Sequence, residues 1–301
     1  MQSSRNLRKT ILPEARSQLN QERAWADLSL KSFANPGQLA TGSSACRRSW
    51  SSVSYALSAF AQRGLFQHEH NRDTGSLLFS TMGYTALHSI MNNQHGFTPA
   101  ELRKLRSLKD PYGIQRFLDD MPYHLADTAW SPRRVLRENT SHCFEGAIFA
   151  AAALRANGYL PLILDFEAEH DTDHVLAIYR VKGHWGAVAK SNYVGCRYRE
   201  PVYRSLRELA MSYFNIYFNL RCERTLRTFS RPVNLARFDD QAWMTTEEPI
   251  WFIIYHLLEI HHYKLLTPAM IKRLHRIDDR LFRAETLGKA YPPGKSPLPF
   301  G

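Results

Sequence analysis

The stretch SHCFEGAIFAAAALRANGYLPLILDF, from Ser141 to Phe166, constrains the fold of this chain more than any other segment. Its first part is almost wholly apolar and rich in alanine, and it closes on an Asn-Gly pair. It therefore predicts a helix over roughly 142–156, with Gly158 just past its end. A helix with so few polar residues must be covered on most of its sides. The chain therefore needs a core large enough to enclose it.

The hydrophobic period changes after this helix. The segments 159–168 and 173–181 are short, rich in β-branched residues and apolar on both faces, which predicts two strands covered by other elements. Lys182-Gly183 is a tight-turn signal, and 184–193 returns as a third strand. The order of elements is therefore a helix followed by strands that can pair antiparallel, and the predicted fold class is α+β.

Further helices are predicted on both sides of this segment. Pro99 and Pro111 each follow a capping residue, so each occupies the first position of a helix. Near the end of the chain, apolar spacing predicts one helix over about 248–263 and another over about 267–288. These helices would supply the cover that the strands need.

Composition divides the chain into three parts. Residues 1–96 include a Ser-, Gly- and Thr-rich stretch over 37–55 and show little periodicity, so we expect a poorly ordered N-terminal extension. Residues 97–238 carry the helix and the strands and form the predicted core. Residues 239–301 are predicted to be a C-terminal helical extension that ends in a proline-rich tail.

Charge and cysteine usage narrow the class of protein. The net charge is +11, which permits contact with acidic partners without demanding it. The four cysteines form neither a CxxC pair nor a disulfide framework, which is typical of a reducing compartment. No apolar run reaches the length of a membrane span, and the N-terminus lacks the apolar core of a secretory signal. We therefore expect a cytoplasmic protein without membrane contact, although the Arg- and Ser-containing start leaves organelle targeting open.

The chemistry of the chain centres on Cys143, which opens the apolar helix. A helix N-terminus favours a thiolate and offers free N–H groups to an oxyanion. Thiol catalysis also needs a base and a group that orients the base. His174 begins the second predicted strand and is the candidate base. An isolated buried cysteine is as often structural, so the helix start and the later histidine carry this hypothesis together.

Cys143 followed by FEGAIFAAAALRANGYLPLIL, then DHVLAIY, then a turn and HWGAV, resembles the transglutaminase-like branch of the papain-like thiol fold. The resemblance covers about 100–193. It implies a helix with an N-terminal Cys packed on an antiparallel sheet. It also implies acyl transfer or hydrolysis at an amide, in which Cys143 attacks the carbonyl, His174 shuttles the proton and the N–H of Cys143 helps to hold the oxyanion.

The sequence departs from the family at the third catalytic position. The family's acidic residue would fall at Ala189 or Lys190, neither of which is acidic. A three-residue turn would place Asn192 opposite His174, and a two-residue turn would place Ser191 there. We predict that Asn192 orients the imidazole through its carboxamide, with Ser191 as the alternative.

The resemblance therefore allows two functions. The first is a cysteine peptidase, amidase or acyltransferase acting on a peptide or protein through Cys143, His174 and Asn192, with no cofactor and no metal. The second is a catalytically inactive module of the same fold that docks an acidic partner through a basic surface. The sequence names neither the substrate nor the oligomeric state.

Two other constellations are weaker. His256, Glu259 and His262 would share one helix, but the second copy that a di-iron bundle needs is missing, so we interpret them as a polar helix face. A basic segment interleaved with aromatic residues could contact phosphates, but it matches no nucleic-acid module, and we interpret it as a solvated basic face. Its arginines are Arg197, Arg199, Arg204, Arg207, Arg221, Arg224, Arg227 and Arg231.

Overall fold

The computed structural model describes residues 95–292, and the predicted extension over residues 1–96 lies almost wholly outside this range. The described part combines helices with one antiparallel sheet, so the α+β class is confirmed. The α-helices are α1 (Pro99–Ser107), α2 (Pro111–Asp120), α3 (Pro132–Glu138), α4 (Cys143–Ala156), α5 (Leu206–Met211), α6 (Trp251–Glu259), α7 (Pro268–Ile271) and α8 (Asp279–Glu285). Short 3-10 helices span Phe214–Ile216 and Leu235–Gln241.

The sheet has seven strands, which are β1 (Leu162–Ala168), β2 (His174–Val181), β3 (His184–Val188), β4 (Arg199–Tyr203), β5 (Leu226–Ser230), β6 (Val233–Asn234) and β7 (His262–Lys264). Their order across the sheet is β4-β3-β2-β1-β5-β7, and β6 pairs with β1 beside β5. All of these pairs are antiparallel. The first three strands are the ones that the sequence predicts.

Helix starts follow the capping signals of the sequence. Thr98 caps α1 with a reciprocal capping box to Glu101, and Asp110 caps α2 by accepting from the N–H of Gly113. Both helices carry proline in the first turn, where a missing N–H costs nothing. These local signals therefore predict the structure well.

Helix α4 is buried all round, as its composition predicts. Every residue from Phe144 to Leu154 is buried. The helix packs on β2 on one side and on α1, α2 and α3 on others. The sheet thus separates two apolar cores, one around α4 and one on the opposite face beneath α5.

The segment predicted as a C-terminal helical extension contributes to both the sheet and the core. Its first helix ends at Glu259, and His262–Lys264 then pairs with β5 as an edge strand. Ile253 and Leu257 of α6 belong to the core around α4. The predicted single helix over 267–288 is instead the two short helices α7 and α8.

The turn between β2 and β3 settles the register that the sequence left open. Val181 pairs with His184, so the turn contains only Lys182 and Gly183. Both turn residues have positive φ, which matches the twist that a two-residue hairpin needs. The three-residue turn on which the choice of Asn192 rested is therefore wrong.

No helix between residues 95 and 292 has both the length and the apolar composition that crossing a bilayer requires.

Candidate functional site

Cys143 lies where the sequence predicts it, at the first position of α4 beside the start of β2. Its Sγ is 3.9 Å from the carbonyl oxygen of Asp173 and accepts from the backbone N–H groups of Val175 and Phe144. The hydroxyl of Tyr123 interacts with both the thiol and the N–H of Cys143. The N–H that was expected to hold an oxyanion therefore faces a tyrosine.

The surroundings of the thiol disfavour a thiolate. Burial raises the pKa of the Cys143 thiol to about 11, and the negative charge of Asp165 acts in the same direction. The N–H groups of Val175 and Phe144 oppose this shift without cancelling it. At neutral pH the thiol is therefore protonated, whereas a nucleophilic cysteine needs a lowered pKa.

His174 lies on the other face of the sheet. Along β2, Val175 and Ala177 point into the core around α4, whereas Leu176 and Ile178 point into the opposite core. Side chains alternate along a strand, so His174 shares the face of Leu176 and Ile178. The structure therefore does not bring its imidazole to Cys143.

The contacts of His174 are those of a structural residue. Its Nε2 lies 2.9 Å from the carbonyl oxygen of Cys196, and its ring lies edge-on to Tyr217. Burial lowers the pKa of His174 to about 4, so the ring is neutral at pH 7. A neutral Nε2–H that donates to a carbonyl explains why the strand tolerates a buried imidazole.

Asn192 does not touch His174 either. Its Nδ2 donates to the carbonyl oxygen of Ala290 and its Oδ1 accepts from the N–H of the same residue, each at 2.8 Å. The carboxamide thus holds the C-terminal segment by imitating a backbone partner. Ser191, the alternative, accepts from the N–H of Tyr193 through its Oγ. Strand β3 ends at Val188, so neither residue is paired with His174.

Lys190, one of the two positions at which the resemblance predicts an acid, is a buried cation. Its Nζ donates to the backbone carbonyls of Leu118 and Met121, which lie at the C-terminal end of α2. Its Cβ packs so closely on α4 that only a glycine fits at position 146. Burial lowers the pKa of Lys190 to about 8. Lys190 therefore places an ammonium group on the carbonyls at the end of α2.

His262 is paired with a carboxylate, as His124 is with Glu145 through Nδ1 at 3.2 Å. Its Nε2 lies 3.0 Å from Oδ2 of Asp165 and its Nδ1 lies 3.0 Å from the carbonyl oxygen of Ile260. Both ring nitrogens are occupied, so neither is available to a thiol. The sequence pattern predicts a helix at His262, and the observed pairing of β7 with β5 instead places this residue near Asp165.

A cavity of about 250 Å³ lies beside Tyr123 and Lys190, on the side of Tyr123 away from Cys143. Tyr123 forms part of its wall, while Cys143 is not one of its lining residues, so the thiol lies behind the tyrosine. The lining residues are Asp119, Met121, Pro122, Tyr123, Lys190, Ser191, Asn192, Tyr193, Val194, Arg197, Leu287, Gly288 and Ala290. No motif in the sequence indicates this cavity, because three separate segments form it.

Neither a scan against protein-family models nor a search of curated proteins finds a match for this chain.

Most arginines of the basic segment form hydrogen bonds within the protein. Five of its arginines donate side-chain hydrogen bonds to other described residues, and Arg227 forms an ion pair with Glu169 at 2.9 Å. Arg199 also lies 3.8 Å from the ring centre of Tyr213. The five are Arg197, Arg199, Arg207, Arg224 and Arg227. These guanidinium groups stabilise the fold, which favours the interpretation of a structural basic face over a nucleic-acid surface.

Metal binding has no support in the described part of the chain. Between residues 95 and 292, no three His, Cys, Asp or Glu side chains are grouped as ligands for a metal ion. His256 and His262 also lie on different elements, α6 and β7.

Proposed function

We propose that the described part of the chain is a transglutaminase-like domain of the papain-like class, with its core over residues 97–238 completed by α6 and β7, and that it works as a non-catalytic binding module that docks an acidic partner. The observation that carries this proposal is the alternation along β2, which puts His174 on the face of Leu176 and Ile178, opposite the core around the helix that Cys143 opens. Nucleophilic catalysis by a thiol needs a base within hydrogen-bonding reach. Among residues 95–292, no hydrogen bond joins the Cys143 thiol to an imidazole.

The ionisation of the two groups supports the same conclusion. A cysteine–histidine ion pair needs a low thiol pKa and an imidazole that accepts the proton. Here burial raises the pKa of Cys143 to about 11 and lowers the pKa of His174 to about 4. Each group is therefore neutral at pH 7 where it lies in this structure, and neither environment favours an ion pair.

The charge at the third position also fits a module that has lost catalysis. An orienting carboxylate stabilises an imidazolium, whereas an ammonium group would destabilise it. The resemblance would place an acid at Ala189 or Lys190, and the second of these is a buried ammonium group. The cavity that contains Lys190 and Arg197, in a chain of net charge +11, would attract acidic groups. The described cysteines are free thiols, which suits a partner in the reducing cytoplasm.

Binding of poly-L-glutamate tests this proposal. We expect the full chain to bind it with an affinity that falls as salt rises, because exposed charges are screened over about 8 Å at physiological ionic strength. Cys143→Ala should bind equally well, since the thiol plays no part in docking. Hydrolysis or transamidation of peptide amides by the wild-type chain, abolished in Cys143→Ala, would contradict the proposal.

A further inference from the structure

Lys190, in the wall of the cavity, is a buried cation that no carboxylate contacts directly, although Asp119 and Asp120 lie near enough to oppose the lowering of its pKa by burial. Lys190 is 5% exposed, and its ammonium group contacts two backbone carbonyls. Within residues 95–292 it forms no ion pair with a carboxylate. An isolated buried charge is costly, and buried charges are normally paired. An ammonium has three N–H donors, so two carbonyls leave one donor for a ligand.

Arg197 supplies a second set of donors to the same cavity. Its Nε donates to the carbonyl oxygen of Val194 and its Nη1 donates to Oδ1 of Asp119. No hydrogen bond to a described residue occupies its Nη2. Lys190 and Arg197 both line the cavity, so it offers N–H groups from two cations.

The net charge of the lining selects the class of ligand. Asp119 is the one carboxylate in the lining, and it already accepts from Arg197 and from Nε2 of Gln115. Two cations and one carboxylate leave a single net positive charge. This charge suits a monoanion, and the carboxylate of Asp119 would repel the second charge of a phosphate dianion. A cavity of about 250 Å³ admits a small group rather than a folded surface.

We propose that this cavity binds a single carboxylate group, held between the Lys190 ammonium and the Arg197 guanidinium. This inference rests on the proposed function, because it names the group through which an acidic partner is recognised. The carboxylate would complete the charge balance of Lys190. An acidic side chain of a protein partner and a free small carboxylate offer the same chemistry.

Protection of Lys190 from chemical labelling is the experiment on the intact chain. Reductive methylation of lysines is followed peptide by peptide, with N-acetylglycine, its neutral amide N-acetylglycinamide, or inorganic phosphate present. We expect N-acetylglycine to slow methylation of Lys190 more than about fivefold, because a bound carboxylate covers the amine and favours its charged form. The neutral amide should give no protection, and phosphate should give less. Equal protection by the amide, or none by N-acetylglycine at any soluble concentration, would overturn the carboxylate site.

Two variants separate the site from the rest of the basic surface. Lys190→Met should weaken N-acetylglycine binding more than about tenfold, because it removes a buried charge partner, whereas the exposed control Lys272→Met should change it less than about twofold. Equal effects of the two would overturn the site. If Lys190→Met fails to fold because α2 loses its cap, Arg197→Gln tests the second donor, and unchanged binding would contradict the proposal.

Failure of this inference can be told apart from failure of the proposed function. If poly-L-glutamate binds but no ligand protects Lys190, acidic docking stands and uses another surface. If N-acetylglycine protects Lys190 but poly-L-glutamate does not bind, the cavity takes a free small carboxylate and the macromolecular docking is wrong.

Discussion

At the scale of single residues, the same sequence position can support opposite chemistry. Cys143 is at the helix start that the sequence predicts, and the N–H of Phe144 does reach its sulfur. The raised pKa comes from burial, which depends on Tyr123 and the start of β2 and not on the local sequence. A motif therefore predicts the position of a thiol but not its ionisation.

His174 was predicted as a base because it begins a strand after the helix. The strand and its start are confirmed. The face on which its side chain lies was not predictable from order alone, because a shift of one residue moves every side chain to the other face. The alternation of Val175 and Leu176 between the two cores decides it.

His174 is buried with its imidazole uncharged, which predicts that the protein loses stability in mild acid. The pKa is about 4 in the folded chain and near 6.5 when unfolded, so the unfolded state takes up protons first as the pH falls. The contribution is complete above about pH 6.5 and decreases toward pH 4. Between pH 7.5 and 5.0 we expect a loss of about 2 kcal/mol from this residue. His174→Gln keeps a donor for Cys196 and should remove that part of the slope in urea unfolding. An unchanged slope would show that His174 is not the titrating group.

At the scale of elements, sequence signals predict those parts of the fold that local chemistry controls. The apolar helix, the hairpin and the proline-led helices occur within a few residues of their predicted bounds. Strands β4 to β7 are not predicted, because all four are short and because β5, β6 and β7 also pair with partners distant in sequence. Edge strands such as β7 are defined by their neighbours more than by their own pattern.

The contact of Gly146 in α4 with Lys190, just after β3, predicts that a glycine-to-alanine substitution in a helix lowers the stability instead of raising it. Alanine is the better helix former by about 1 kcal/mol, so propensity alone would make Gly146→Ala stabilising. A Cβ at this position would overlap the Cβ of Lys190, and Lys190 cannot move away easily because its ammonium group is bonded to the carbonyls of Leu118 and Met121. We therefore expect Gly146→Ala to lower the free energy of unfolding by about 1–3 kcal/mol. A stabilised variant in urea unfolding would show that the two elements are farther apart.

The two hydrogen bonds between Asn192 and Ala290 predict that loss of the Asn192 side chain loosens the segment after α8. Asn192→Ala removes two hydrogen bonds that hold the segment after α8, each worth about 1 kcal/mol. We expect faster tryptic cleavage after Lys289 with little change in the melting temperature. Ser191→Ala is the matched control, because Ser191 contacts only the N–H of Tyr193 within the described chain. Equal cleavage rates in the two variants would argue against this role of Asn192.

At the scale of the whole molecule, the sheet joins segments that the sequence analysis assigned to different regions. Strand β7 and helix α6 come from the predicted C-terminal extension, yet both pack with the predicted core. At the other end, Nη2 of Arg133 donates to the carbonyl oxygen of Gly96 at 2.6 Å. The described part of the chain is therefore stabilised by residues that lie outside the predicted core, both before residue 97 and after residue 238.

This arrangement predicts which shortened chain should fold. A chain from His95 to Gly301 keeps the Gly96 carbonyl and should unfold in one cooperative transition, within a few degrees of the full chain. A chain that ends at residue 238 loses β7 and α6 and should be insoluble or unfolded. Calorimetry on both chains checks this. A stable chain that ends at residue 238 would show that the C-terminal residues are dispensable.

The central claim is that Cys143 is a protonated structural thiol in a non-catalytic site. Its alkylation by iodoacetamide, followed by mass spectrometry of the Cys143 peptide from pH 6 to pH 11, tests this most directly. Because the pKa of the thiol is raised to about 11, the rate should be negligible at pH 6. It should then rise about tenfold per pH unit without a plateau below pH 10. Rapid alkylation at pH 6 that changes little up to pH 8 would reveal a thiolate held by a nearby cation and would contradict the account.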